Sequence, residues 1–330
     1  MKKRSGTNLR KKEKKRPGTN LGKKRKKGPA QNYENYGGKN MYKLAAIDLD
    51  GTMLNSYGEV TEYTKKIIKE VQNKGVEVVI ASGRPIDSIK TIAKEIGSDK
   101  YFISGNGAIL YDVEKDQILY ENTLKKSKIL DIIKICEENS IYYNLYTEKE
   151  VIAKGLNYNV LYYYKENLNK DEENKTHINI MENIYDYVSQ KDEKILKITI
   201  CDNNQTIFNS IIKKIKEIDD IEVLEVAHMS RKIIRQGTEE IPIEYYYTEI
   251  SAQNVDKWTA IQVLAEKLDI KTEEIIAIGD NVNDKKMIEN AGMGIAMGGS
   301  TAEVTQIADY IAESNNEDGA AKALKKYVLK

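Results

Sequence analysis

Three short, predominantly apolar runs, Leu44–Leu49, Val76–Ala81 and Ile275–Ile278, each lead directly into residues able to do chemistry. Runs of this length and character suit strands buried on both faces of a parallel sheet. Between the first two, Val60, Tyr63, Ile67 and Val71 recur at helical spacing over Val60–Lys74, and Gly75 follows as a C-cap. Strand, helix, strand is the crossover unit of an open α/β sheet. A second helix is expected at Val255–Leu268, with Trp258, Ile261, Ala265 and Leu268 along one stripe. The block between reads differently. Strands are expected at Ile141–Tyr146, Ile195–Ile200, Ile221–Val226 and Tyr245–Ile250, with helices at Lys126–Glu138 and Thr206–Ile218. The expected fold is therefore an α/β parallel-sheet core from residues 41–121 and 253–330, carrying an inserted α/β domain over 122–252.

In open α/β sheets, ligands bind beyond the carboxyl ends of the strands. Asp48-Leu49-Asp50-Gly51-Thr52 lies at such an end, so both carboxylates reach the crevice as the chain turns at Gly51. The stretch Ala81-Ser82-Gly83-Arg84-Pro85 brings a hydroxyl and a flexible backbone to the same edge, and Asp280-Asn281-Val282-Asn283-Asp284 brings further carboxylates. Lys257, at the start of a helix, can point an ammonium into the crevice. One acidic turn is ordinary, because Asp and Gly are common turn residues. Four such clusters converging on one sheet edge describe an active site.

Other classes of function find little support. Neither Cys136 nor Cys201 has an arginine six positions later, as a cysteine-phosphatase loop needs, and no phosphate-binding Gly-x-x-x-x-Gly-Lys-Ser/Thr loop is present. The two histidines, His177 and His228, lie in the inserted block, where a surface or packing role is expected, although His228 could touch substrate. Two cysteines give no disulfide framework, which fits a reducing cytoplasm. No segment approaches the roughly 18 apolar residues of a membrane span. Twelve of the 22 tyrosines fall within 122–252 and read as strand residues.

Charge is unevenly distributed. Residues 1–40 hold 15 Lys or Arg against two Glu, whereas the remainder is acidic. The tail repeats itself, Arg4–Lys12 being echoed by Arg16–Lys24, and its lack of apolar residues predicts disorder. Because Met41 directly precedes the first strand, residues 1–40 read as an extension outside the working protein. The alternative is an arm for nucleic acid or another anionic surface.

The motif set resembles the haloacid dehalogenase-like superfamily, in its Cof-type branch with a large α/β cap. Asp48-x-Asp50-Gly51-Thr52, Ser82-Gly83-Arg84, Lys257 and Gly279-Asp280-x-x-Asn283-Asp284 match its four motifs in order. Further matches are Ser104-Gly105-Asn106-Gly107-Ala108, Gly294-Ile295-Ala296-Met297-Gly298 and Ser314-Asn315-x-Glu317-Asp318-Gly319. Trp258 after the motif lysine and Gly299-Ser300 after Gly298 depart from the usual pattern without replacing a reacting group.

The resemblance implies a three-layer Rossmann-like core under a cap, and a Mg2+-dependent phosphatase. Asp48 would be the nucleophile and Asp50 the general acid and base. Ser82, Gly83, Lys257 and Asn283 would bind phosphate. The Asp48 carboxylate, the Asp50 backbone carbonyl and the Asp280 carboxylate would bind Mg2+, with Asp284 orienting the metal's waters or Lys257. The expected substrate is a small phosphorylated metabolite, either a sugar phosphate or a cofactor phosphate such as flavin mononucleotide or pyridoxal phosphate. A monomer or weak homo-oligomer is expected, with no membrane partner. A phosphomutase of the same superfamily, or an enzyme tethered to nucleic acid through residues 1–40, are the alternatives.

Overall fold

The computed structural model describes residues 42–98, 100–168, 172, 175–224, 230–236 and 239–329. The expectations for the basic tail and for His228 lie outside these residues. The first strands are β1 (Leu44–Ile47), β2 (Glu77–Ala81), β3 (Tyr101–Ser104), β4 (Ile109–Asp112) and β5 (Gln117–Glu121). The middle of the chain contributes β6 (Tyr142–Tyr146), β7 (Glu150–Ala153), β8 (His177–Ile180), β9 (Lys197–Asp202), β10 (Ile221–Val223), β11 (Ser230–Gln236) and β12 (Glu239–Ala252). The last three are β13 (Ile275–Gly279), β14 (Met293–Ala296) and β15 (Tyr310–Ile311).

Eight strands form the core sheet in the order β15-β14-β13-β1-β2-β3-β4-β5. From β15 to β3 every neighbour is parallel. Why the sheet must be covered twice is visible in the pleat, where successive side chains point to opposite faces. Ala45 and Ile47 of β1, Val78 and Ile80 of β2, and Ile276 and Ile278 of β13 enter one apolar cluster. Their neighbours Leu44, Ala46, Val79, Ala81, Ile275 and Ala277 enter another. Helices Glu62–Asn73, Ile86–Ile96 and Gly319–Tyr327 cover the first face. Lys257–Lys267 and Lys285–Asn290 cover the second. The result is the three-layer Rossmann-like arrangement. Each fully buried Ile or Val contributes roughly 1.5–3 kcal/mol, so apolar runs at these positions hold the layers together.

The sheet is not parallel throughout. β3, β4 and β5 form an antiparallel edge. Parallel neighbours need a long crossover, but here the chain reverses at once, because Gly105, Asn106 and Gly107 all take positive φ. Helix ends also shift from expectation for identifiable reasons. The helix expected over Val60–Lys74 spans Glu62–Asn73, because the Thr61 hydroxyl accepts from the Thr64 N–H and caps it. The one expected over Val255–Leu268 spans Lys257–Lys267, capped by the Asp256 carboxylate at the Thr259 N–H.

The second sheet runs β10-β12-β9-β6-β7-β8, with β11 pairing to the first half of β12. One face of it packs on helices Lys126–Glu138, Ile184–Gln190 and Gln205–Ile215 through Tyr143, Leu145, Ile198, Ile200 and Ile250. The other face carries Tyr146, Lys197, Tyr247 and Glu249, which line the same cavity as Asp48 and Asp50. No helix among the described residues is long and apolar enough to cross a membrane. Cys136 and Cys201 are buried and not joined in a disulfide. Trp258 packs in the second core cluster, as its place on the helix stripe suggests.

Candidate active site

Four strand ends assemble the site. β1 and β13 run in register, Ile47 beside Ile278, and the Asp48 N–H donates to the Ile278 carbonyl at 3.0 Å. Asp48 and Asp280 therefore leave adjacent strands at nearly the same height. On the other side, β2 delivers Ser82, whose N–H donates to the Ile103 carbonyl of β3 at 2.9 Å. The loop after β3 supplies Asn106.

The centre is a buried cluster of charge. Lys257 Nζ donates to Asp48 Oδ1 and to Asp284 Oδ1, each at 2.6 Å, and its side chain is wholly buried. Burial alone would lower the lysine pKa, but Asp284 and Asp48 outweigh it and hold the group above its ordinary value. Burial pushes the Asp48 carboxyl well up, and the charges of Asp284, Asp280 and Asp50 add to it while Lys257 opposes. Asp280 is pushed up to about 6 by burial and by Asp284. Three carboxylates thus share one ammonium.

Each acid is held differently. Asp284 Oδ2 accepts the backbone N–H groups of Asp280 and Asn281, both at 3.0 Å, so with Lys257 on Oδ1 both its oxygens are engaged. Thr52 Oγ1 donates to Asp280 Oδ1 at 3.1 Å, fixing that carboxylate from the first loop. Gly51 has φ +82°, and a Cβ there would stand 2.5 Å from Asp280 Oδ2, so any other residue is strained and must displace that carboxylate. Asp50 is the exposed acid. Its two oxygens receive Arg84 Nε at 2.8 Å and Nη2 at 2.6 Å, a bidentate pair.

The phosphate-binding candidates divide. Gly83 and Asn283 line a cavity of about 260 Å³ together with Asp48, Asp50 and Asp280. Ser82, Lys257 and Asp284 are buried. Ser82 Oγ accepts the Arg84 N–H at 3.2 Å. Asn106 ties the loops together: its Oδ1 accepts from Asn283 Nδ2 at 3.0 Å and its Nδ2 donates to Glu249 Oε2 at 2.7 Å. A Cβ on Gly83 would meet Asn106 Oδ1 at 2.8 Å, which keeps that position bare beside the cavity.

Carboxylate oxygens of Asp48, Asp280 and Asp284 come within 4.8 Å of one another. An all-oxygen donor set with negative charge beyond what Lys257 balances suits a hard divalent cation. Because both Asp284 oxygens are already engaged, Asp48 and Asp280 are the better-placed ligands. The residues present fit such an ion.

Some of these contributors carry no assigned role in the sequence reading. Thr52, Arg84 and Asn106 lie inside the quoted motifs, whereas Lys197 and Glu249 lie on strands of the second sheet, where no motif marks them. His177 is exposed at the start of β8.

The family model of the haloacid dehalogenase-like hydrolases matches residues 45–324. The chain belongs to that family. Phosphatase YwpJ of Bacillus subtilis is 28% identical over 299 residues, covering 86% of this chain and 99% of that protein. The 5-amino-6-(5-phospho-D-ribitylamino)uracil phosphatase YcsE of the same organism is 28% identical over 288 residues, covering 87% and 96%. Among solved structures, a haloacid dehalogenase-like hydrolase from B. subtilis aligns with TM-score 0.71 at 26% identity, covering 86% of this chain and 99% of that one. One from Bacteroides thetaiotaomicron gives 0.69 at 28% identity with the same coverage. As a haloacid dehalogenase-like hydrolase of the Cof type, the chain is a phosphatase.

Proposed function

We propose that this hydrolase is a Mg2+-dependent phosphatase of small phosphorylated metabolites that works through a phosphoaspartate on Asp48. The observation that carries the reading is the pairing of a buried, lysine-bound carboxylate, Asp48, with an exposed one, Asp50, on the same cavity. The burial that raises Asp48 opposes its ionisation, and the Lys257 ammonium counters part of that effect at the attacking carboxylate. Asp48 attacks phosphorus, the bond to the leaving oxygen breaks, and Asp50 supplies that oxygen with a proton. Water then attacks the phosphoaspartate, Asp50 takes its proton, and phosphate leaves. Lys257, the Gly83 N–H, Ser82 and Asn283 hold the transferring oxygens where charge builds. Asp48, the Asp50 backbone carbonyl and Asp280 would hold Mg2+, which when bound screens the repulsion between carboxylate and phosphate. Asp284 positions Lys257 and the Asp280 loop.

YcsE, named for a ribitylaminouracil phosphate, is a relative over nearly its whole length and supports a small metabolite as the substrate. The test is Asp48→Asn, whose amide is a poor nucleophile of nearly the same shape. It should lower turnover of p-nitrophenyl phosphate by about 10³-fold or more with little change in melting temperature. Most activity surviving in a folded variant would overturn the mechanism.

A further inference from the structure

The pleat of the second sheet turns an ion pair toward the catalytic crevice. Ile198 and Ile200 on β9, and Ile250 on β12, pack into the helix-covered core. Alternation therefore presents Lys197 and Glu249 on the opposite face. Lys197 stands opposite Tyr146 of β6, and Glu249 opposite Thr199 of β9. Lys197 Nζ donates to Glu249 Oε1 at 2.6 Å and lies 4.5 Å from the Tyr146 ring centroid. The two side chains are only 6% and 19% exposed, and both line the cavity that holds Asp48 and Asp50.

Stability is a poor account of this pair. A buried ion pair loses so much hydration that an apolar pair of similar size holds a fold equally well. Its hydrogen-bonding capacity gives a better one. Of three ammonium N–H groups on Lys197, one is engaged by Glu249 among the described residues. Among the described residues Glu249 accepts from Lys197 and, on Oε2, from Asn106, which leaves lone pairs on both oxygens. A donor and an acceptor thus stand side by side in the wall. A hydroxyl, which accepts and donates at once, satisfies both. A second anion would meet the Glu249 charge, and a cation would meet Lys197.

The pair is also tied to the chemistry. Glu249 reaches Asn106 at 2.7 Å and Asn106 reaches Asn283 at 3.0 Å, so the distance from the pair to the phosphate-binding loops is set by hydrogen bonds. We propose that Lys197 and Glu249 determine specificity by reading an uncharged hydroxyl on the leaving alcohol, held at a fixed distance from the reacting phosphorus. This rests on the phosphatase mechanism above.

The experiment compares kcat/KM for ribitol, glucose and glycerol phosphates with that for n-pentyl phosphate, using the full chain, Lys197→Met and Glu249→Gln, with p-nitrophenyl phosphate as a further substrate. The full chain should favour its best hydroxylated substrate over pentyl phosphate by about 100-fold or more, because a site built to bond a hydroxyl rejects an analogue lacking it. Each substitution should shrink that ratio at least about 10-fold. Both substrates are measured on one sample, so any loss of folded protein cancels in the ratio. A preference absent from the full chain, or a ratio unchanged in both variants, overturns the proposal while the phosphatase mechanism stands. Failure of the full chain on every ester, p-nitrophenyl phosphate included, overturns the mechanism and the proposal together.

Discussion

Lys257 buries its ammonium completely and donates to Asp48 Oδ1 at 2.6 Å, with Asp284 at the same distance on its other side. The lysine is the first residue of its helix, placed there by the Asp256 cap. Removing one partner of a buried pair leaves the others uncompensated, at about 3–5 kcal/mol. Lys257→Met should therefore lower the melting temperature by roughly 10 °C. It should also lower kcat on p-nitrophenyl phosphate by about 10³-fold, since the lost ammonium serves both the nucleophile and the phosphoryl oxygens. Scanning calorimetry with steady-state kinetics checks both. An active, equally stable variant would contradict the role given to Lys257.

Asp50 is the acid whose contribution should depend on the leaving group. Its side chain is 61% exposed and held by the Arg84 fork, so its proton can exchange with the cavity. An alkoxide leaves poorly without a proton, whereas p-nitrophenolate leaves well without one. Asp50→Asn should cost about 10²–10⁴-fold on n-pentyl phosphate and markedly less on p-nitrophenyl phosphate. Equal losses on the two esters would remove Asp50 from protonation of the leaving group and leave it only the transfer from water, which both esters share.

Gly51 sets the approach of the first loop to Asp280. An alanine there must take φ near +82°, at a cost of about 1–2 kcal/mol, and its Cβ would stand 2.5 Å from Asp280 Oδ2. The carboxylate must then shift from the position it holds beside Asp48. Gly51→Ala should lower the melting temperature by a few degrees and raise the Mg2+ concentration for half-maximal activity about 10-fold. A shift in stability with unchanged Mg2+ dependence would mean that Asp280 does not hold the ion.

How far the site is legible in the sequence follows from the range of the signal. Asp48, Ser82 and Asp280 are readable because each directly follows a short apolar run, and a parallel sheet must bring such ends together. The antiparallel edge is not, since it depends on positive φ at Asn106 as well as at its flanking glycines. Arg84 and Thr52 stand in the motifs, but their bonds join positions 34 and 228 residues away, which no local pattern encodes. Lys197 and Glu249 are harder still. Alternation along β9 and β12 marks them as lying off the apolar face, yet cannot say that the opposite face meets a crevice rather than solvent. Several tyrosines expected on strands, Tyr158, Tyr162, Tyr163 and Tyr164, instead lie on the helix Tyr158–Asn167, because an aromatic-rich stretch fits either period.

The charge cluster also predicts how pH and metal act on stability. Asp280 rises from 3.8 to about 6 in the folded protein, chiefly through burial and then through Asp284. Its folded form thus binds a proton more tightly than the unfolded chain. Stability of the metal-free protein should fall as pH rises from about 4 to about 6, then level off as far as this group is concerned. Asp48 is raised for similar reasons and acts in the same direction. A divalent cation competes with these protons, so its stabilising effect should be small near about pH 5 and larger near about pH 7.5. Melting temperatures with and without Mg2+ at the two pH values measure this directly. Asp280→Asn removes one buried charge, so it should raise the metal-free melting temperature at the higher pH and abolish most of the Mg2+ response. An equal Mg2+ response at both pH values, or one that survives Asp280→Asn, would show that the acids around Lys257 do not form the metal site.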